Sequence, residues 1–334
     1  MTHAAGFALP RLARLVRESV ERMEIDLADR EVLTEAATGA YLVTPVVAAL
    51  SGARVTAITK ATRYGSVDDV TSATSALAHL LGVADRIRVT GEHDKNDFAR
   101  ADVITNSGHV RPIVGAYADA IRDDAVVSLM FETWEIQAGR VDLDIDGLLR
   151  RGVRVAGTNE RHPFVDVFSY LGIMAVIQLA DAGVPAYGST IALCCDNPFN
   201  DYIVHGLEAA GARVVSARSL DGLDVTAADA LLVAITPTGG SVLSDTDVAR
   251  LATARPDLVV VRYWGDISTD TCDTVGLSVW PRENVSGGHM AVLPSRVGPD
   301  AIVRLQAGGL KVGELLLREP ASLTSAERRY IDEL

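Results

Sequence analysis

The sequence predicts an α/β protein of two domains, each a parallel sheet with helices on both faces, joined by a long crossing helix. Short apolar runs of strand length alternate with longer helical stretches along most of the chain, which is typical of such sheets. One long apolar segment, Phe164–Ala182, has this alternation on both sides, and its end at Gly183 and Pro185 favours a buried helix. The length of 334 residues allows roughly two domains.

Composition excludes several classes of protein. The chain is 48% hydrophobic with a mean hydropathy of +0.20, which is enough to fill a sizeable core. A net charge of −13 disfavours nucleic acid as a partner, because phosphate binding needs a basic face. Asp166, Gln178 and Asp181 interrupt the apolar segment, so a membrane span is not expected.

The cysteines and the first residues indicate a compartment. Cys194 and Cys195 are adjacent in an apolar strand, so the three cysteines cannot form a disulfide framework and suit a reducing cytoplasm. No CxxC or HExxH spacing occurs, so no metal site is predicted. The first residues, MTHAAGFALP, lack the charged-then-apolar order of a signal peptide. We expect a cytoplasmic protein.

The first domain begins with an amphipathic helix and continues as alternating strands and helices. Apolar residues at helical spacing predict the helix Leu12–Met23. The predicted strands that follow are Val32–Ala37, Arg54–Thr59, Arg86–Thr90, Asp102–Thr105, Ala125–Met130 and Val153–Ala156. A helix is expected from Thr38–Gly39 to Leu50 and another over Val67–Leu81.

The second domain repeats the scheme. Its predicted strands are Thr190–Cys195, Arg213–Ser216, Ala230–Ile235 and Leu258–Val261. Helices are expected over Asp201–Ala210 and Asp245–Ala254, and a long helix, Pro299–Leu317, should close the core. Thr324–Leu334 is charged and predicted to be a helical tail.

Polar turns follow several of these strands, where ligands of open α/β sheets bind. Asn106, Ser107, Gly108 and His109 follow one strand, and Arg111 comes just after. Glycine and exposed amides suit a substrate carboxylate, which an arginine can bind with two parallel bonds. A simple turn before Pro112 would also explain the pattern.

Two further turns offer carboxylates. In Phe131–Glu135, Glu132 is a candidate acid or base and Trp134 a candidate contact for the substrate, although a salt-bridged loop is an equal alternative. Asn159 and Glu160 begin the crossing helix and are predicted to line the cleft. A helix cap with Pro163 at the first position is the alternative.

Three other turns suit anions. Lys60–Ser66 is basic in an acidic protein, and Thr38–Gly39 starts a helix whose free amides attract anions. Thr236, Pro237 and Thr238 end a strand and are predicted to contact a phosphate or ribose. A solvated loop and simple capping are the alternatives for the first two.

Several segments, in order, resemble the D-2-hydroxyacid dehydrogenase superfamily, which includes formate and glycerate dehydrogenases. Val103–Val110 looks like that family's substrate loop, and Val141–Asp144 followed by Leu148–Val155 is similar to its Asp-Asn-Ile-Asp segment and next strand. Phe164–Ala182 corresponds to its crossing helix, and Gly287–His289 lies where the family carries its catalytic histidine.

The resemblance implies a fold of two Rossmann-like, doubly wound domains. The implied parts are a flavodoxin-like substrate domain (1–157), a linker with the crossing helix (158–183), a Rossmann-like cofactor-type domain (184–298) and C-terminal helices packing back on the cleft (299–334). It also implies a homodimer, as does the crossing helix, which is apolar around most of its circumference.

The resemblance gives three residues catalytic roles. His289 would handle a proton, with a loop histidine that caps a helix as the alternative, and Glu283 would orient it. Arg262 would polarise the substrate carbonyl, although aligning Gly265–Ile267 with the family's Arg-Gly segment places Trp264 in that role.

The dinucleotide turn departs from the family pattern. Where the family has G-x-G-x-x-G, this chain has Asp196–Asp201, which contains no glycine. The proline of this turn has no backbone N–H to donate to a phosphate, and its carboxylates repel phosphate. Ser216–Ser219 offers an arginine in place of the acidic residue that holds a ribose. The cofactor is therefore NADP or NAD, and if a nicotinamide cofactor binds, this turn favours NADP. The predicted cofactor contacts are Asn197, Pro198, Phe199, Asn200, Arg218, Ser219, Thr236, Pro237 and Thr238.

The leading hypothesis is an NAD(P)-dependent oxidoreductase that acts on a small anionic 2-oxo or 2-hydroxy acid in an interdomain cleft. Ser107, Gly108 and Arg111 would hold the carboxylate of that substrate. One alternative keeps the fold without the redox step, as a lyase, isomerase or cyclase using Glu132, Glu135 or Glu160 with His289. Another is a non-catalytic ligand-binding or partner protein.

Overall fold

The computed structural model describes residues 7–137, 142–237, 239–283 and 285–334. The chain divides into two compact units. Unit 1 runs to Val167 and resumes over Pro299–Leu334, and unit 2 is Phe168–Gly298. The predicted α/β architecture is confirmed, with parallel sheets in both units.

The first part of unit 1 alternates strands and helices as expected. Its strands are β1 (Glu31–Glu35), β2 (Arg54–Ile58), β3 (Ile87–Thr90), β4 (Val103–Thr105), β5 (Val126–Ser128) and β6 (Arg154–Thr158). Its helices are α1 (Leu9–Met23), α2 (Val43–Leu50), α3 (Val67–Leu81), α4 (Lys95–Arg100), α5 (Ala116–Ala120), α6 (Trp134–Gln137) and α7 (Ile145–Arg150).

Unit 2 follows, and the chain then returns to unit 1. Unit 2 contains β7 (Thr190–Cys194), β8 (Arg213–Ala217), β9 (Ala230–Val233), β10 (Val259–Arg262) and β11 (Ser278–Trp280), with helices α8 (Ser169–Asp181), α9 (Asn200–Ala209), α10 (Asp245–Ala254) and α11 (Thr269–Thr274). The C-terminal elements are α12 (Asp300–Leu316), α13 (Ser325–Arg328) and β12 (Ile331–Asp332).

The unit 1 sheet reverses its strand order beside β1. Over the described residues the order is β12-β6-β5-β4-β1-β2-β3, parallel except for β12, which pairs antiparallel with β6. Apart from β12 this is the 3-2-1-4-5-6 order of dinucleotide-binding domains, whereas the sequence predicted a flavodoxin-like domain. The difference arises because two strands, β2 and β3, lie beyond β1 instead of one.

Unit 2 has the order that was expected of unit 1. Its described strands run β11-β10-β9-β7-β8, all parallel, which is the flavodoxin-like 2-1-3-4-5 order with its reversal between β7 and β9. The inner strands are apolar on both faces, and Ala230 to Val233 are all buried, as in parallel sheets covered by helices.

The crossing helix is shorter than predicted and belongs to unit 2. The sequence predicted a helix over Phe164–Ala182, but α8 begins only at Ser169. Asp166 has a φ of 45°, in the left-handed region that an α-helix of L-residues excludes, so the helix cannot start before it. The C-terminal segment was predicted as a separate part, yet it belongs to unit 1.

Helix α12 completes the core of unit 1, as the predicted helix Pro299–Leu317 anticipated. It packs against α1, α2 and the strands β4, β5 and β6. Small residues permit this approach: a side chain on Gly308 would lie 2.7 Å from Val165, and one on Gly313 would lie 2.5 Å from Val103.

Within the described ranges, no helix is long and apolar enough to cross a membrane.

Candidate functional site

The site in unit 1 lies where β1 and β4 end side by side. These neighbouring parallel strands mark the reversal of strand order, and ligands of open α/β sheets bind outside the carboxyl ends of strands at such points. Glu35 ends β1, and Asn106–His109 directly follow β4. The fold therefore brings four predicted substrate residues next to Glu35, which the sequence analysis did not single out.

Glu35 is the central group of this site. Its Oε2 accepts a hydrogen bond of 2.9 Å from the backbone N–H of His109. A side chain at Gly108 would place its Cβ 3.3 Å from the same oxygen, so glycine keeps this approach open. Burial raises the pKa of Glu35, while the His109 bond and the charge of Arg111 act in the opposite direction. Glu35 is thus a carboxyl group able to hold and release a proton above its ordinary range.

Arg111 has a hydrogen-bond donor to spare. Its Nη1 donates to Oδ2 of Asp142 at 2.8 Å. Its Nε is buried and has no hydrogen-bond partner among the described residues. A buried donor without a partner costs free energy, which an incoming anion would recover.

Lys60 adds positive charge at the same place. Its Nζ lies 3.5 Å from the carbonyl oxygen of Arg111, to which it donates. The pKa of His109 is lowered, mainly by burial and also by the charge of Lys60. In a chain with a net charge of −13, Lys60 and Arg111 place two cations next to each other here, and both can attract an anionic ligand.

Tyr41 belongs to the same site. It lies in the short helical turn that follows β1, after the predicted anion-binding pair Thr38–Gly39. Burial raises the pKa of Tyr41, and the carboxylates of Glu35 and Glu160 raise it further. Its phenol therefore keeps its proton, and Glu160, a predicted substrate residue, is electrostatically coupled to it.

Ser107 and Asn106 hold the site together. Hydrogen bonds join Oγ1 of Thr34 to Oγ1 of Thr105 (2.8 Å) and Oγ1 of Thr105 to Oγ of Ser107 (2.5 Å), which ties β1 to β4. Asn106 accepts a bond of 2.7 Å from the backbone N–H of Met130, after β5. These bonds occupy polar groups that the sequence analysis assigned to the substrate.

Glu132 forms a second, closed cluster in unit 1. Its buried Oε1 accepts from Nε of Arg161 (2.9 Å) and from the backbone N–H of Glu160 (3.2 Å). Its Oε2 accepts from Nε1 of Trp134 (3.1 Å). Burial is the main cause that raises the pKa of Glu132, and Arg161 opposes it. This geometry favours the salt-bridged loop over a catalytic group.

Asn159 also takes part in joining chain segments. Its Nδ2 donates to the carbonyl oxygen of Arg329 at 2.8 Å. It thereby links the end of β6 to the C-terminal segment.

In unit 2, the turn after β7 is closed by its own hydrogen bonds. Oδ1 of Asp196 accepts from the N–H and the hydroxyl of Thr236 (2.8 and 2.9 Å). Asn197 donates to the carbonyl oxygen of Ala234 (2.7 Å) and accepts from the N–H of Phe199 (3.1 Å). A phosphate would approach the amide of Phe199 and the carboxyl end of β9, and both already form hydrogen bonds within the protein.

Phe199 fills the space beneath this turn. It is buried, stacks on Trp264 with ring centroids 6.0 Å apart, and meets Phe168 edge-on at 5.1 Å. A glycine in the family's loop lets the protein backbone approach the pyrophosphate closely. The turn has a carboxylate and a buried ring instead, so its residues do not fit a pyrophosphate.

The remaining predicted cofactor residues surround this turn. Nη2 of Arg218, after β8, donates to the carbonyl oxygen of Asp196 at 2.8 Å. Thr238 lies outside the described residues. The others adjoin these groups along the chain: Pro198, Asn200, Ser219 and Pro237.

Arg262 is buried and bound entirely to backbone. Its guanidinium donates to the carbonyl oxygens of Pro281 (3.1 Å), Ile267 (2.8 Å) and Glu283 (2.6 Å). Burial lowers the pKa of Arg262. These bonds support a structural role for this side chain, and its predicted contact with a substrate carbonyl stays a prediction.

His289 lies in an exposed loop. Its Nδ1 is 3.1 Å from the carbonyl oxygen of Gly287. Among the described residues no hydrogen bond joins it to Glu283, whose contact with Arg262 uses only the backbone carbonyl. Within unit 2, His289 and Glu283 are therefore not arranged as an acid–base pair.

Comparison of the sequence with protein-family models and with curated proteins gives no match. Comparison of the structure does. The A chain of dipicolinate synthase from Bacillus subtilis is 14% identical with a TM-score of 0.52, covering 88% of this chain and 97% of that one. The corresponding subunit from Bacillus halodurans is 12% identical with a TM-score of 0.53, covering 88% of this chain and 100% of that one.

A pyruvate reductase of Chlamydomonas reinhardtii is also similar. It is 11% identical with a TM-score of 0.50, and the alignment covers 90% of this chain and 100% of that one. At such identities the likeness concerns the fold. The likeness therefore supports the α/β fold that the sequence predicts.

Proposed function

We propose that this chain is an enzyme that binds a small 2-oxo or 2-hydroxy acid in unit 1 and transfers a proton with Glu35. The observation that carries the proposal is the arrangement at the ends of β1 and β4. There the buried carboxyl group of Glu35, whose pKa is raised, accepts a hydrogen bond from the His109 N–H. It also lies close enough to Arg111 to interact with its charge, and the Nε of Arg111 has no hydrogen-bond partner among the described residues.

Arg111 would bind the substrate carboxylate. Its Nε lacks a partner among the described residues, and Nη1 is already positioned by Asp142. Lys60 supplies long-range attraction, because its Nζ lies beside the Arg111 backbone. A small acid whose carboxylate is bound by Arg111 would place its carbonyl or hydroxyl carbon near the Glu35 carboxyl.

Glu35 would then act as the general acid or base. A catalytic group works best when its pKa lies near the working pH, and burial moves the pKa of Glu35 in that direction. When Glu35 gives up its proton, the His109 N–H and the Arg111 charge stabilise the carboxylate that forms. The same contacts let it take a proton back, so the group is regenerated.

This chemistry supports a lyase or isomerase on a dehydrogenase-like scaffold as the first candidate. A nicotinamide would supply hydride transfer when bound, but the turn Asp196–Asp201 does not fit a pyrophosphate, and no step of the proposal depends on it. An NADP-dependent reduction of the same substrate is the second candidate. It is favoured by the fold shared with a pyruvate reductase and by Arg218 beside the turn.

The direct test is proton exchange without a dinucleotide. The protein is incubated in D2O with pyruvate, 2-oxobutyrate or 2-oxoglutarate, and NMR follows deuterium entering the carbon next to the carbonyl. We expect exchange that Glu35→Gln slows by about a hundredfold or more, as for loss of a general acid–base. Glu92→Gln, which removes an exposed carboxylate of unit 1, is the matched control.

Binding is measured separately by calorimetry. Arg111→Lys should weaken binding of the acids about tenfold or more, because lysine cannot reproduce the guanidinium geometry. Glu35→Gln should still bind them. Exchange that is equally fast in Glu35→Gln, or acids that bind equally well to Arg111→Lys, would overturn the proposal.

Titration with NADP and NAD tests the second candidate function, the NADP-dependent reduction. It requires NADP to bind about tenfold more tightly than NAD, and Arg218→Ala to abolish that preference while leaving NAD binding nearly unchanged. If neither dinucleotide binds at about millimolar concentration, the redox candidate is excluded and the proton-transfer candidate is unaffected.

A further inference from the structure

Unit 2 contains a pocket that is lined by its own residues. Its volume is about 330 Å³, and it lies beyond the carboxyl ends of β9 and β10. It is lined on one side by Gly239, Gly240 and Ser241 and on the other by the segment Gly265–Asp270. Small residues on one wall and a polar segment on the other leave room for a compact ligand.

Asp266 is the group in this pocket that calls for a ligand. Its side chain is only 6% exposed, and its Oδ1 accepts a hydrogen bond of 2.6 Å from the backbone N–H of Gly288. Its Oδ2 is buried with no hydrogen-bond partner among the described residues. A buried carboxylate oxygen without a donor is costly, so a ligand that brings a donor would bind with a gain in free energy.

The charged residues around the pocket indicate whether that ligand is a cation or an anion. Asp270 adds a second carboxylate to the lining. The cation that lines it, Arg262, has its guanidinium bound to the carbonyl oxygens of Ile267, Pro281 and Glu283. An anion would therefore meet two carboxylates and no available cation among the described lining residues, which disfavours phosphates and acids.

The hydroxyl groups of the lining point to the same conclusion. Oγ of Ser241 donates to the carbonyl oxygen of Leu243 (2.8 Å), so toward a ligand it has only lone pairs to offer. Oγ of Ser268 accepts from the N–H of Thr271 and caps α11. The described residues contain no group of three or more metal-ligating side chains that could hold a metal ion. The two carboxylates and the lone pairs of Ser241 therefore favour a ligand donor that carries positive charge.

We propose that this pocket binds a small organic molecule carrying a primary ammonium group, with the ammonium hydrogen-bonded to Asp266 and Asp270 supplying further attraction. A water molecule occupies about 30 Å³ of liquid, so the volume corresponds to a ligand of roughly ten non-hydrogen atoms. The glycine residues of the lining, Gly239 and Gly240, leave room for a short aliphatic chain.

The test uses 1-aminobutane as the probe, measured by calorimetry and by tryptophan fluorescence, since Trp264 adjoins Gly265 in the pocket wall. We expect saturable binding with a Kd at or below about 1 mM. Choline is the matched probe, because it has the charge without an N–H donor on nitrogen. It should bind at least about tenfold more weakly.

Variants locate the binding. Asp266→Asn keeps an oxygen for the Gly288 N–H but removes the charge, and it should weaken binding about tenfold or more. Asp270→Asn changes an exposed lining residue and should weaken it to a smaller extent, even if Asp266→Asn does not fold. Asp245→Asn, on α10 and outside the lining, is the control and should bind like the unchanged protein.

Two results would overturn the proposal. One is the absence of saturable binding by the unchanged protein up to about 10 mM. The other is binding that Asp266→Asn and Asp270→Asn leave unaltered, or that choline matches. Neither result affects the acid-binding test in unit 1, because the probes and the variants are different.

Discussion

The backbone N–H of His109 donates a hydrogen bond of 2.9 Å to Oε2 of Glu35, across the boundary between β4 and β1. This bond joins a loop predicted to bind substrate to a strand residue that carried no predicted role. It also holds the carboxyl group in place while burial raises its pKa.

The first prediction concerns the pH dependence of stability through Glu35. Its folded-state pKa lies above the ordinary value of 4.5, so its contribution to the unfolding free energy is fully present below that value and is lost as pH rises through the folded pKa. Glu35→Gln keeps the oxygen for His109 and cannot ionise, so it should become more stable relative to the unchanged protein as pH rises from about 4.5.

Urea unfolding at a series of pH values measures this difference. The matched control is again Glu92→Gln, which removes an exposed carboxylate of the same unit. A stability difference between Glu35→Gln and the unchanged protein that is constant with pH would contradict the raised pKa of Glu35.

The second prediction concerns the crossing of α8 and α9. A Cβ on Gly172 would lie 2.6 Å from both Cα of Gly206 and the carbonyl oxygen of Tyr202, which are backbone atoms that cannot move aside cheaply. Gly172→Ala should therefore lower the unfolding free energy by about 1–3 kcal/mol, as overpacking does. Glu208→Ala, on an exposed position of α9, should have little effect. Thermal or urea unfolding that shows equal stability for both variants would refute this close packing.

The third prediction separates structure from catalysis at Arg262. Replacing it with methionine leaves the carbonyl oxygens of Pro281, Ile267 and Glu283 without their donor, so the unfolding free energy should fall by several kcal/mol. Arg250→Met, an exposed residue of α10, is the control and should change stability little. If Arg262→Met unfolds like the unchanged protein but loses activity, the arginine is catalytic and the structural interpretation is wrong.

The fourth prediction is a two-fold homodimer through α8. Ile173 is 48% exposed on this helix, and Val176 and Ile177 beside it are only partly covered. A second copy of the chain would cover this apolar stripe. We expect a dimer at micromolar concentration in sedimentation, and a monomer for Ile173→Arg. Leu149→Arg, at an exposed apolar position of unit 1, should stay dimeric. A monomer for the unchanged protein would rule the dimer out.

The sequence by itself determined the alternation of strands and helices, because burial on both faces of a parallel sheet requires apolar strands at regular intervals. It also located the polar turns. For Asn106–His109 and Arg111 it predicts a ligand site, since glycine, exposed amides and an arginine after a strand suit a carboxylate, and this stays a prediction.

Only the tertiary structure decided which turns face one another. The role proposed for Glu35 depends on β1 lying beside β4, a pairing between residues about seventy positions apart that no local pattern reveals. The one available signal was an acidic residue at the carboxyl end of a predicted strand. Likewise, Arg262 and Glu132 have the residue types of catalytic groups, but their partners are backbone carbonyls and a buried salt bridge. Residue type specifies what a side chain can do, and the long-range contacts of the fold decide whether its donors and acceptors are left free to do it.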